Sequence, residues 1–184
     1  MALLLSDSYL VKRALAAREH AYVPYSHFAV GTALLTRDGT IYEGANIENA
    51  AYSPSNCAER TAFFQAVQAG ERDFVAIAIV GGPEGEAPHE LCAPCGVCRQ
   101  VMMEFCDPAT FRIVLGAANQ APVSKTLAEL LPLGFGPDNL NRNDSGSDNL
   151  NACDSCATCS DSATHTSTHA EYTPQADTTG GDCA

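Results

Sequence analysis

Tryptophan is absent from this 184-residue chain, and aromatic residues make up only 7% of it. The core therefore has to be built from Ala, Val, Leu and Ile, for which a hydrophobic content of 46% suffices. Positive charge is scarce as well: ten Lys and Arg stand against 22 Asp and Glu, a formal net charge of -12. A surface this acidic repels phosphate backbones and anionic lipid headgroups before any contact forms. The densest basic cluster, Lys12, Arg13 and Arg18, makes no patch. Long apolar runs are missing too, none approaching the roughly 18 residues of a membrane span. The apolar start, Met1 to Leu5, is too short for a secretion signal. These absences exclude nucleic-acid and membrane partners and lead to the expectation of a cytoplasmic protein of one ordinary domain with some length to spare.

Cysteine, by contrast, is plentiful and odd in number, with nine residues. In a reducing compartment, clustered cysteines signal metal or catalysis more often than disulfides. The chain also changes character along its length. Residues 1–140 carry the hydrophobic periodicity, whereas Asn141 to the end holds seven acidic residues, Arg142 as its single basic residue, and almost no large apolar side chain. Such a segment cannot bury enough apolar surface to offset the entropy of ordering it. Residues 141–184 are accordingly expected to be an acidic, low-complexity, disordered tail. Its Cys153, Cys156 and Cys159 and its His165 and His169 could in principle hold a metal, but polar low complexity accounts for them better.

Within residues 1–140, Leu10, Val11, Ala14, Leu15 and Arg18 share one face of a helix over Ser8–Glu19. Phe28–Leu35 and Ile41–Ala45 read as strands joined by a hairpin turn at Arg37–Thr40. Cys57–Ala69 reads as a helix, Phe74–Val80 as a continuous buried strand, and Gly81–Ala93 as a loop. Cys95–Phe105 reads as a helix opened by Pro94, and Phe111–Leu115 as a strand. A weak strand at Ala121–Ser124 and a short helix at Thr126–Leu131 follow. The order α-β-β-α-β-α-β-β-α predicts an α/β fold, a three-layer α/β/α domain with a central mixed five-stranded sheet.

Two short segments, Asn56-Cys57-Ala58-Glu59-Arg60 and Pro94-Cys95-Gly96-Val97-Cys98-Arg99-Gln100, each sit where a loop becomes a helix. Cys95 and Cys98 fall in one turn, and Cys57 opens the other helix. Helix N-termini favour thiolate over thiol. Three thiols meeting there form a site for a thiophilic metal, with zinc the default. With no obvious fourth protein ligand, one coordination position stays open for water. Cys92 is a competing partner for Cys95, although it lies before Pro94. Glu59, two residues from a ligand, can carry a proton between water and substrate. Arg60, three residues after Cys57, can reach back and offset the negative charge of three thiolates. Cys106 reads as a small buried hydrophobe, and His20, His27 and His89 as surface groups.

These segments, together with Tyr22-x-Pro-Tyr-Ser26, Phe28, Val30-Gly31, Asn46-Ile47-Glu48-Asn49 and Leu130-Leu-Pro-x-x-Phe135, resemble the small homotetrameric zinc-dependent cytidine deaminases over roughly residues 8–140. The resemblance implies one zinc ion per subunit. It also implies hydrolytic deamination of cytidine and 2′-deoxycytidine to uridine and 2′-deoxyuridine, in pyrimidine salvage, by zinc-activated water attacking C4. In that family's pattern Glu59 shuttles the protons and Asn46 and Glu48 bind the ribose 3′-hydroxyl. Phe28 packs on the pyrimidine, and the Ala58 backbone N–H meets the base carbonyl. Tyr52 and Phe135 match positions at shared, inter-subunit active sites. Two rivals remain at the level of sequence. One is a deaminase of another cytosine-bearing small molecule, such as a nucleoside antibiotic; the other is a closed zinc-stabilised binding module without catalysis.

Overall fold

The computed structural model describes residues 5–140. The acidic tail, with Cys153, Cys156, Cys159, His165 and His169, lies outside the described residues. Ten elements follow one another: α1 (Asp7–Arg18), β1 (Phe28–Thr36), β2 (Ile41–Ala45), α2 (Ala58–Gln68), β3 (Phe74–Pro83), α3 (Gly96–Phe105), β4 (Arg112–Leu115), β5 (Val123–Thr126), α4 (Leu127–Leu130) and α5 (Pro137–Leu140). The sheet has five strands in the order β2-β1-β3-β4-β5. β3 and β4 run parallel and the other neighbours antiparallel, so the sheet is mixed, as expected. The one parallel pair is joined through α3, since parallel neighbours need a crossover.

The three layers follow from residue alternation. Ala33 and Leu35 of β1 and Ala76, Ala78 and Val80 of β3 face α1, packing with its Leu10, Val11 and Ala14. Leu34, Ile77 and Ile79 point the other way, onto Ala62, Phe63 and Ala66 of α2 and Cys98 and Met102 of α3. Successive strand side chains alternate faces, so burial on both sides produces the unbroken apolar run of β3. The rings of Phe63 and Phe74 meet edge to face at 5.1 Å, and Phe105 and Phe111 also pack on Phe63, so this side of the core is anchored by a cluster of four aromatic rings.

Several boundaries differ from the sequence expectation: β5 runs Val123–Thr126 rather than Ala121–Ser124, and Thr126 caps α4 instead of belonging to it. β3 continues through Gly81, Gly82 and Pro83 because these pair with Val30, Ala29 and Phe28. α3 starts at Gly96, with Cys95 as an extended N-cap at ψ 167°. A one-turn helix, Pro137–Leu140, occurs where polar sequence had suggested that structure was ending.

β1 starts, and β2, β3 and β4 end, on the same side of the sheet. α2 and α3 begin there, which is where open α/β sheets bind ligands. Gly44 sets how closely α2 approaches. A Cβ at this position would lie 2.3 Å from the Ala58 carbonyl oxygen and 2.6 Å from the Ala62 nitrogen. The buried Thr32 hydroxyl adds a tether, lying 3.1 Å from the Ala58 oxygen and 3.3 Å from the Gly44 oxygen.

Candidate active site

Cys57 is the extended N-cap of α2 and Cys95 that of α3, and no side chain caps either helix. The first backbone N–H groups of both helices therefore point, unsatisfied within the helix, toward the space between them. Cys98 projects into that space from the first turn of α3. The Cys57 and Cys95 sulfurs are 3.9 Å apart and those of Cys95 and Cys98 are 3.5 Å apart. All three lie within 4.8 Å of one another. Tetrahedral zinc with bonds of about 2.3 Å spaces its sulfur ligands at about 3.8 Å, so separations of 3.5 and 3.9 Å suit a zinc corner.

Without metal the sulfurs share protons unequally. A hydrogen bond from Cys98 and one from Arg60 lower the Cys57 thiol to about 5, against the opposing effect of burial. Cys98 is pushed up, because it donates to Cys57 and because it is buried. The pair therefore favours a thiolate at Cys57 and a thiol at Cys98. Arg60 Nη2 lies 3.6 Å from the Cys57 sulfur and donates to the Ser55 carbonyl at 3.2 Å, so its charge sits against the thiolate corner.

Glu59 is only 5% exposed and belongs to the first turn of α2. Burial raises its carboxyl above the ordinary range, and the charge on Cys57 acts in the same direction. A carboxyl held in this way is suited to keep and return a proton near neutrality.

Asn46 and Glu48 lie on a short extended segment pinned on both sides. Tyr22 N donates to the Asn46 carbonyl and Glu48 N to the Tyr22 carbonyl, each at 2.9 Å; Ile47 and Asn56 exchange a reciprocal pair. The Asn46 side chain donates to the Phe28 carbonyl at 2.9 Å and accepts from Val30 N at 2.8 Å. One of its N–H groups and one lone pair are left over. Glu48 Oε2 accepts from Tyr25 N and Ser26 N at 3.0 and 3.1 Å, and its carboxyl is lowered first by the Ser26 side chain and then, against burial, by these backbone bonds. Phe28 is partly exposed and lines a cavity of about 580 Å³ with Gly81, Gly82, Cys92 and Ala93. A larger cavity of about 670 Å³ opens instead beside Arg18 and Glu19, away from the three sulfurs. Tyr52 is 73% exposed, with a left-handed φ of 55° and its ring edge-on to Tyr25; Phe135 is 57% exposed, its carbonyl held by Gln100.

Cys92 stands apart from the cluster of three sulfurs. Its sulfur occupies the space that a side chain on Gly81 would need, 2.7 Å from such a Cβ. Burial, followed by the charges of Glu59 and Cys57, raises its thiol to about 11, which keeps it neutral. Replacing Cys92 by Ala is therefore expected to leave about one zinc per chain by metal analysis; loss of the metal would make Cys92 a ligand. Cys106 is buried and His20, His27 and His89 are exposed, in line with expectation. Sequence reading missed Thr32 and Asn56, whose roles rest on partners distant in the chain. It placed Arg18 on the apolar face of α1 without seeing what that position meant: the side chain is 6% exposed.

A three-sulfur corner with a buried carboxyl beside it, built on two helix N-termini at the strand ends of a mixed sheet, defines an α/β metal-centre protein. Residues 5–117 match the family described as the cytidine and deoxycytidylate deaminase zinc-binding region, and the chain belongs to that family. It is 51% identical over 132 residues to a cytidine deaminase of Halalkalibacterium halodurans, covering 72% of this chain and 96% of that one. A cytidine deaminase of Sporosarcina psychrophila is 50% identical over 131 residues, covering 71% and 92%. Among solved structures, a cytidine deaminase from Burkholderia pseudomallei superposes with a TM-score of 0.65 at 47% identity, covering 71% of this chain and all of that one. One from Mycobacterium tuberculosis gives 0.59 at 33% identity, covering 72% and 98%. No helix among the described residues is long and apolar enough to cross a membrane.

Proposed function

We propose that the chain hydrolyses cytidine and 2′-deoxycytidine to the corresponding uridines and ammonia, and that residues 1–140 carry this activity without the tail. The observation that carries this reading is the buried Glu59 carboxyl on the same helix turn as a three-cysteine zinc corner. Cys57, Cys95 and Cys98 hold the metal. When bound, zinc supplies a Lewis acid that makes water nucleophilic at neutral pH. Glu59, buried beside that corner, would accept a proton from the attacking water and give it to N3 of the pyrimidine as C4 is attacked. The carboxylate would then take the remaining proton, from the hydroxyl now on C4, and pass it to the amine, so that the C4 carbonyl forms as the C4–N bond breaks and ammonia leaves. The Ala58 N–H, free at the start of α2, donates to the base carbonyl. Phe28 packs on the ring. Asn46, with its one remaining N–H, and Glu48, through Oε1, hold the ribose 3′-hydroxyl and so fix C4 in line for attack. Arg60 offsets the excess negative charge of the thiolates, keeping the metal electrophilic.

The ribose-reading pair and the net charge of -12 favour a free nucleoside over a polynucleotide. The exposed rings of Tyr52 and Phe135 suit contacts with neighbouring subunits, in a cytoplasmic homotetramer whose active sites are shared. Purified protein mixed with cytidine is expected to shift the ultraviolet absorbance to that of uridine with stoichiometric ammonia release, while cytosine within single-stranded DNA is left unchanged. No spectral change with either nucleoside would overturn this reading.

A further inference from the structure

Arg18 is buried, and none of its contacts is a carboxylate. Its guanidinium donates only to main-chain carbonyls: Nε to Ala29 at 2.9 Å, Nη1 to Glu86 at 3.0 Å, and Nη2 to Gly82 at 2.9 Å and to Pro83. Burying a cation is unfavourable unless its donors are satisfied, and four carbonyls take four of its five N–H groups. The four belong to the start of β1, the end of β3 and the loop beyond it. The backbone of α1 is also seated tightly: a Cβ on Gly31 of β1 would lie 2.3 Å from Arg18 N.

Each group that Arg18 holds adjoins the wall of the Phe28 cavity. Ala29 follows Phe28 directly, and Pro83 and Gly82 pair with Phe28 and Ala29 across the strands. Pro88 packs on Gly82, Cys92 packs on Gly81, and the Phe28 ring lies beside that same glycine. From Cys92 the chain passes through Ala93 and Pro94 to Cys95. The guanidinium therefore reaches around the end of the sheet from the α1 layer, opposite the metal, and ties together the two sides of the cavity.

We propose that Arg18 is a positioning residue for nucleoside binding. It sets the distance between Phe28 and the loop wall of residues 82–92, and leaves the chemistry to α2. This rests on the deaminase reading given above. Cys57 and Glu59 sit at the start of α2, which packs on β2 and β1 through Gly44. Cys95 and Cys98 sit at the start of α3, which Cys98 and Met102 anchor in the core against Leu34, Ile77 and Ile79, so neither helix is held by the carbonyls that Arg18 binds. Loosening the cavity should thus weaken substrate binding more than turnover.

The experiment compares wild type, Arg18→Lys and Arg18→Ala, with steady-state cytidine deamination and zinc content measured for each. In Arg18→Ala, KM is expected to rise about tenfold with kcat within about twofold and about one zinc per chain retained. Arg18→Lys, with three donors on a point charge in place of a planar fork, is expected to fall between the two. Millimolar guanidinium ion, entering from the open groove beside Arg18, should return the KM of Arg18→Ala toward wild type; equal methylammonium should not. Should Arg18→Ala fail to fold, the KM of Arg18→Lys decides alone. A folded, zinc-loaded variant with wild-type KM, or one that loses kcat at unchanged KM, would overturn the proposal. An inactive wild type would instead strike at the deaminase reading itself.

Discussion

Glu59→Gln is expected to keep its zinc and lose cytidine turnover by roughly 10³- to 10⁴-fold, the scale of a lost general acid–base group. Glutamine matches the shape of the carboxyl and fills the same buried space, so the three sulfurs and the cavity persist. It can neither take a proton from water nor return one. Stability provides the control. The Glu59 carboxyl is raised by burial and by the neighbouring Cys57 charge. A raised acid contributes stability below its unfolded value and loses it as pH rises through its folded value. At neutral pH the metal-free variant is therefore expected to melt no lower than metal-free wild type, because the burden of ionising a buried carboxyl is gone. Turnover within about tenfold of wild type would remove Glu59 from the proton path.

Cys98→Ser is expected to drop zinc from about one per chain to a small fraction, and activity with it, because a hydroxyl replaces a soft thiolate ligand. Cys98 is 1% exposed, so solvent cannot readily substitute for the missing donor. The pH dependence of metal uptake by wild type carries the same logic. Cys98 is pushed up while Cys57 is lowered to about 5. At neutral pH the Cys98 proton must leave when metal binds, so acidification weakens zinc by about tenfold per pH unit for each proton released. Competition with a chelator across pH 6 to about 8 measures the slope. A flat profile would mean that Cys98 is no ligand.

The order of elements was legible because strands and helices here carry clean periodicities, and because β3, buried on both faces, reads as unbroken apolar sequence. The end of β3 was not. Gly81, Gly82 and Pro83 look like a turn, and only their pairing with Phe28 to Val30 and the packing of Cys92 and Pro88 over the two glycines keep them extended. Both are long-range facts. The metal corner was visible because thiols and a carboxyl at helix starts are uncommon and their chemistry is narrow. Spacing offered Cys92 as a rival to Cys98, and the choice of Cys98 rested on Pro94, which leaves Cys92 in the loop and puts Cys95 and Cys98 in one turn. Arg18 was hidden for a different reason: its partners are backbone oxygens, which every residue possesses, scattered from Ala29 to Glu86.

Asn46 and Glu48 hold the chain together with the same functional groups that remain to meet a ligand. The Asn46 amide bridges Phe28 and Val30, and one Glu48 oxygen caps Tyr25 and Ser26. A substitution at either position would slacken the loop before it altered any preference for the sugar. The pair therefore behaves as a fixed gauge, and a lineage adapting to a different sugar would have to do so at other positions around the cavity.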